Sequence, residues 1–205
     1  MDATLVLATR NAHKVRELAD LLLPWRVEPL RPEVELPPET GETFAANATI
    51  KARAAAEASG RPGLADDSGI EATALGGAPG VRSARFAGED AGDEENLAKL
   101  LRAVPSDGDR RVAYVCVLAL FEPGAAAPHL FEGRCEGVLA IEPRGEGGFG
   151  YDPAFVPADR DDGRTMAELR PEEKHAISHR GRAARALREW LGEHARAAAA
   201  GGERR

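Results

Sequence analysis

Cysteine is scarce in this 205-residue chain: Cys116 and Cys135 are the only two. Their spacing matches neither a disulfide framework nor a zinc ribbon. Both fall in strand-like apolar runs, so they read as buried thiols of a protein in the reducing cytoplasm. No apolar run in the sequence approaches the roughly 20 residues that span a bilayer, and no leader-like segment precedes the first strand pattern, so no membrane partner is expected. Positive charge is also in deficit. Lys and Arg number 27 against 34 Asp and Glu, a formal net charge of -7. That balance repels a phosphodiester backbone and argues against nucleic-acid polymers as partners. A small anionic ligand remains open, because a local pocket needs only a few cations. A glycine-rich phosphate loop is missing too, since nothing in the sequence fits G-x-x-x-x-G-K-[ST].

What is present is a globular mixture, 43% hydrophobic and 30% charged, sufficient for one domain of two close lobes over residues 1–195. The alanine-rich end, 196–205, reads as a frayed, disordered tail. Residues 4–9 read as a buried strand and 12–23 as a helix with Val15, Leu18 and Leu22 on one face. The proline-rich stretch 25–38 predicts an irregular or short-strand connection. An alanine-rich helix is expected over 43–59, then a short apolar stub, Leu64-Ala65, ending in Asp66 and Asp67. Residues 94–104 are amphipathic, with Asp93 as the N-cap, and the run 112–121 is apolar enough for a central strand. One or two further strands over 129–141, a glycine-rich loop, and a helix from about Ser178 to His194 complete the chain. The alternation predicts an α/β fold with a mixed sheet.

Five stretches carry chemistry. In "ATRNAHK" a strand end meets a helix start, where backbone N–H groups favour an anion and Thr9, Asn11 and Lys14 add donors. A capped helix with a solvated lysine fits those residues as well. On the helix over 43–59, Thr43, Asn47 and Lys51 fall at i, i+4, i+8, which lines up a hydroxyl, an amide and an ammonium beside small apolar residues. Asp66 and Asp67 leave a strand side by side, so one faces each way. Hard carboxylate oxygens suit Mg²⁺, and an Asx turn is the alternative. In "GEGGFGYDP" glycines flank Phe149 and Tyr151, allowing a flat ligand to approach and stack, or a hairpin loop to anchor. In "EEKHAISHRG", Lys174, His175, His179 and Arg180 crowd a helix start. The two histidines are spaced i, i+4 but lack the glutamate of a zinc motif, so a donor cluster reading an oxygen is preferred over a metal site.

Taken in order, "LATRNAHKVREL", "ETGETFAANATIKA", "ADDSG", "LGGAPGVRSARFAG", "GGFGYDP" and "EEKHAISHRG" resemble the inosine triphosphate pyrophosphatase family, whose bacterial members are XTP/dITP diphosphatases. The resemblance spans about residues 4–192. It implies an elongated mixed β-sheet flanked by helices, two lobes with a cleft between them, and a homodimer. It also implies Mg²⁺-dependent hydrolysis of deaminated purine nucleoside triphosphates (ITP, dITP, XTP) to the monophosphate and pyrophosphate. By this resemblance Thr9, Arg10, Asn11, Ala12, His13 and Lys14 form a phosphate-contacting segment, joined by Lys51. Asp67 is the catalytic aspartate and Ser68 a substrate contact. Glu39 and Asp67 are the metal-site acids. Phe149, Gly150, Tyr151 and Asp152 form the nucleotide loop, and Lys174, His179 and Arg180 recognise the base. Rival readings are a pyrophosphatase for modified pyrimidine triphosphates, a phosphomonoesterase, and a non-catalytic nucleotide sensor, which would keep the basic residues but lose the acids.

Overall fold

A computed structural model describes residues 4–202. Its centre is a six-stranded mixed sheet in the order β2-β1-β3-β4-β5-β6. The strands are β1 (Leu5–Leu7), β2 (Val27–Pro29), β3 (Gly63–Ala72), β4 (Arg111–Phe121), β5 (His129–Leu139) and β6 (Phe155–Pro157). β1 runs parallel to β2 and β3, and the pairings from β3 through β6 are antiparallel. The helices are α1 (Ala12–Leu21), α2 (Phe44–Ser59), α3 (Asp93–Ala103), α4 (Pro171–Ile177) and α5 (His179–Gly202). None among the described residues is long and apolar enough to cross a membrane.

Strand alternation divides the core. Ala65, Val115, Val117 and Ala119 meet the small side of α2, made of Ala48, Ala52 and Ala55. Leu64, Cys116, Leu118 and Leu120 face the other way, onto Leu18 of α1, its C-cap Leu22, and Leu187 and Leu191 of α5. A third cluster joins Leu97 and Leu100 of α3 to Ile70, Tyr114, Phe155 and Met166. Two strand glycines let helices lie directly on backbone. A Cβ on Gly63 would sit 2.1 Å from the Ala52 carbonyl oxygen, and one on Gly133 2.0 Å from that of His179. Gly133 and Gly137 therefore do not divide residues 129–141 into two strands; β5 runs through both.

Four expectations change. The stub at Leu64-Ala65 is part of a ten-residue strand, with Asp66 paired to Leu118 and Asp67 to Val117 of β4. Charge inside a strand is tolerated here because each carboxylate meets cations on its own face. The last helix begins at His179, about where it is expected, but Ser178 just before it is extended (φ -65°, ψ 154°) and separates α4 from α5, so His175 and His179 do not share a helical face. The N-cap of α3 is Gly92 rather than Asp93. The final helix reaches Gly202, through much of the stretch expected as a tail, and 203–205 lie outside the described residues.

Candidate active site

β1 stops early. Its ladder with β3 ends at the Leu7–Leu64 pair, so Asp66, Asp67 and Ser68 continue along an edge that β1 no longer covers. Ligands of α/β sheets sit in such crevices beyond strand ends. The corner after β1 forms one wall. Asn11 caps α1, accepting from the N–H groups of His13 at 2.9 Å and Lys14 at 3.2 Å, and Thr9 Oγ1 accepts from the Asn11 N–H at 3.2 Å. With these caps in place the corner presents Lys14 to β3, where its ammonium pairs with Asp66.

Asp66 and Asp67 point to opposite faces, as strand geometry requires. Asp66, 1% exposed, belongs to the α1/α5 side. One oxygen accepts from Lys14 and, at 2.9 Å, from Ser68 Oγ. The other accepts from Arg180 Nε at 2.8 Å and the Cys116 thiol at 3.2 Å. Burial alone would raise this carboxyl, but Arg180 and Lys14 overcome it and hold it well below the usual range. Asp67 belongs to the α2 side. Lys51 Nζ lies 2.8 Å from it and 2.6 Å from Glu39, while Asn47 Nδ2 donates to its second oxygen at 3.3 Å. The stripe seen in the sequence is thus used in full: Thr43 caps α2, and Asn47 and Lys51 reach Asp67. Burial raises the Asp67 carboxyl above its ordinary value, with Glu39 adding repulsion and Lys51 opposing both. Burial works against the Lys51 ammonium, but Asp67 and Glu39 outweigh it and the group stays charged.

Beyond Asp66 the crevice widens into a cavity whose wall includes Ser68, Tyr114, Phe149, Tyr151, Asp152, Lys174, His179 and Arg180. Lys174 bridges Asp152 and Glu17, each at 2.8 Å. Arg180 reaches Glu17 at 2.6 Å and Ser68 Oγ at 2.9 Å. Tyr114 OH donates to Asp152 at 3.2 Å, and its ring stacks on His179 with centroids 4.5 Å apart. Lys174 and Arg180 lie over the Phe149 ring, 5.1 and 5.7 Å from its centroid, and His13 stacks on it at 5.2 Å. Among the described residues, His179 Nδ1 is the buried side-chain nitrogen or oxygen that finds no partner. Unpaired buried polar atoms are rare, and this one singles His179 out on the cavity wall.

Most of the residues singled out in the sequence therefore converge. Thr9, Asn11 and Lys14 line the corner, with Ala12 as the first residue of α1. Glu39, Lys51, Asp67 and Ser68 flank the open edge. Gly150 and Tyr151 join Phe149 and Asp152 on the cavity wall. Arg10 is not brought in. Its guanidinium donates to the carbonyls of Leu30, Arg31, Pro32 and Val34 and so braces the proline-rich connection. Sequence reasoning missed Glu17, Arg85 and Tyr114. Glu17 lies one turn after Lys14 on α1, a spacing that signals a shared face. Arg85, 3.4 Å from Glu39, and Tyr114, inside an apolar strand, carry no local signal.

Fold and site define an α/β protein whose crevice joins an Asn-capped helix start, a carboxylate–lysine cluster and an aromatic-lined cavity. The chain belongs to the Ham1 family, whose model matches residues 5–190. It is 51% identical over 189 residues to a dITP/XTP pyrophosphatase of Geobacillus kaustophilus, covering 87% of this chain and 89% of that protein. It is 52% identical over 198 residues to a dITP/XTP pyrophosphatase of Desulforamulus reducens, covering 91% and 94%. A HAM1 protein structure from Coxiella burnetii superposes with a TM-score of 0.83 at 45% identity, covering 93% of this chain and 98% of that one.

Burial, aided by Arg180, holds His179 well below the ordinary histidine value of 6.5. Its folded-state pKa is depressed, so below pH 6.5 the unfolded chain takes up a proton that the folded chain refuses. Stability contributed here is present above that pH and is lost as pH falls, by ~1.4 kcal/mol per unit. Urea unfolding from pH 7 to 5 should therefore show a steeper loss for the native chain than for His179→Gln. Equal slopes would contradict the assignment.

Proposed function

We propose that this chain hydrolyses deaminated purine nucleoside triphosphates (ITP, dITP and XTP) to the monophosphate and pyrophosphate, with Mg²⁺ as cofactor. The observation that carries the reading is the Glu39–Lys51–Asp67 cluster at the open edge of β3, next to an anion-binding corner and an aromatic cavity. Two carboxylates from segments 28 positions apart converge on one ammonium, within 2.6 and 2.8 Å of it. Such a hard-oxygen pair fits Mg²⁺, which takes one or two carboxylates together with substrate phosphates. Among the described residues no group of three or more potential ligands forms a closed metal cage, and an ion shared with a triphosphate does not need one. The cations Lys14, Lys51, Arg85, Lys174 and Arg180 are matched by Glu17, Glu39, Asp66, Asp67 and Asp152. A triphosphate entering this balanced site brings uncompensated negative charge, which favours a divalent partner. When bound between Glu39 and Asp67, that ion supplies charge neutralisation and polarises a phosphoryl oxygen.

The chain's own groups do the rest. Asp67, raised by burial, is suited to accept the proton of a water attacking the α-phosphorus. The bond from that phosphorus to the bridging oxygen breaks, and pyrophosphate leaves. Lys14, Lys51 and the amides at the start of α1 stabilise charge on the departing oxygens. Thr9 and Asn11 set the shape of that corner, and Ser68 positions the substrate beside Asp67. Phe149 stacks on the base. A 6-oxo group accepts from His179, with its proton on Nδ1, and from Lys174 or Arg180. Adenine presents a 6-amino donor and leaves those donors unpaired. Guanine shares the 6-oxo group, so this criterion separates adenine alone.

A panel of nucleoside triphosphates with Mg²⁺, assayed for pyrophosphate, tests the assignment. ITP, dITP and XTP should each yield pyrophosphate and monophosphate, with kcat/KM for ATP lower by about 100-fold or more. Comparable turnover of ATP would defeat the specificity reading, and stepwise orthophosphate release would point to a phosphomonoesterase. Asp67→Asn should lower kcat by about 10²- to 10⁴-fold while leaving circular dichroism unchanged; retention of most of the rate would remove Asp67 from the chemistry. The working unit we infer is a cytoplasmic homodimer. Leu23, Leu130, Val138 and Ile141 are the exposed large apolar side chains among the described residues. Sedimentation velocity should give about twice the 21.8 kDa chain mass, and a single-chain value would refute the dimer.

A further inference from the structure

The loop that carries Phe149 is tied from an unexpected side. An acid at the start of an amphipathic helix ordinarily caps it, yet Gly92 holds that place in α3, and the Gly92 N–H donates to Glu95 at 2.9 Å. The Asp93 carboxylate is thereby free. It accepts a hydrogen bond from the Gly150 backbone N–H at 2.7 Å, across 57 positions of sequence. A carboxylate acceptor makes such a bond stronger than a neutral pair.

The other end of that bond is the residue next to Phe149. Gly150 has φ of 63°, and Gly145 and Gly148 also occupy the left-handed region. A segment so rich in glycine loses more backbone entropy on ordering than any other composition, so its place depends on its ties. Two ties come from its own side of the cavity. The Phe149 N–H donates to Asp152 at 2.9 Å, and the Gly147 N–H to the Ala167 carbonyl at 3.0 Å. Asp93 supplies a tie from α3, and it stands with Phe149 and Gly150 on the cavity wall.

We propose that Asp93 is a positioning residue: by holding the Gly150 amide it fixes the Phe149 ring where the base stacks, and so sets substrate affinity without touching the reacting atoms. This rests on the reading of Phe149 as the stacking face. The test is a double-mutant cycle on steady-state kinetics with ITP. Asp93→Ala should raise KM about three- to tenfold with kcat changed less than about twofold. Asp93→Asn, which keeps an acceptor oxygen, should recover most of the affinity. Phe149→Ala should raise KM by itself, and adding Asp93→Ala to it should cost little more, because the two act through one contact. An unchanged KM in Asp93→Ala, beside a raised KM in Phe149→Ala, overturns the latch and leaves the stacking reading standing. An unchanged KM in Phe149→Ala overturns the stacking reading and the latch with it. Full additivity, or a fall in kcat with thermal stability that Asp93→Asn fails to rescue, assigns Asp93 a structural role and also overturns the proposal.

Discussion

Charge buried in pairs is the constraint on which this molecule depends. β3 places two neighbouring carboxylates on opposite faces of a central sheet, where an isolated charge costs several kcal/mol. Each needs a cation from the elements covering its own face. Asp66 draws Lys14 from α1 and Arg180 from α5, and Asp67 draws Lys51 from α2. Three helices that share no sequence neighbourhood are thereby referenced to two adjacent residues. Lysine is scarce in this arginine-rich chain, and its use is telling. Lys14, Lys51 and Lys174 all serve the crevice, while Lys99 alone lies elsewhere, against Phe86.

The same pairing shapes how a ligand is received. In the ligand-free cluster the ammonium and guanidinium groups are already engaged by carboxylates, so a polyanion enters by exchange of partners. Lys51 is the clearest case, because its ammonium holds Glu39 and Asp67 together, 2.6 Å from one and 2.8 Å from the other. The pairs thus keep the site assembled when no ligand is bound. His179 differs from its neighbours. It is buried, held neutral, and makes no side-chain hydrogen bond to the protein at Nδ1.

Much of this was legible in sequence where the signal is local. The i, i+4, i+8 stripe of Thr43, Asn47 and Lys51 survives as one face of α2 that caps the helix and reaches Asp67, because helix periodicity and capping are set within a few residues. The Asn11 cap and the Lys14 placement follow in the same way. The order of the motifs pointed to the fold and to the family. Local reading failed where a distant partner altered the local rule. Asp66 and Asp67 look like a strand terminus, since charge seldom continues into a buried strand, yet β3 carries on because its partners come from 52 and 16 positions away. Arg10 sits among residues expected to contact phosphate but is drawn off by the carbonyls of a proline-rich segment. Proline supplies no N–H there to pair them internally.

Local pattern set the periodic elements, most of their caps, and the apolar faces that sort into sheet and helix. Each depends on neighbours within a turn or a strand repeat. Tertiary structure alone decided that β1 ends early and opens an edge beside Asp66 and Asp67. It also decided that Glu17 and Arg85 join the site, that the chain breaks at Ser178 between α4 and α5, and that Asp93 reaches Gly150 instead of capping its own helix. Those outcomes turn on which charges and backbone groups are buried together. Burial is a property of the whole packed chain, and no local pattern carries it.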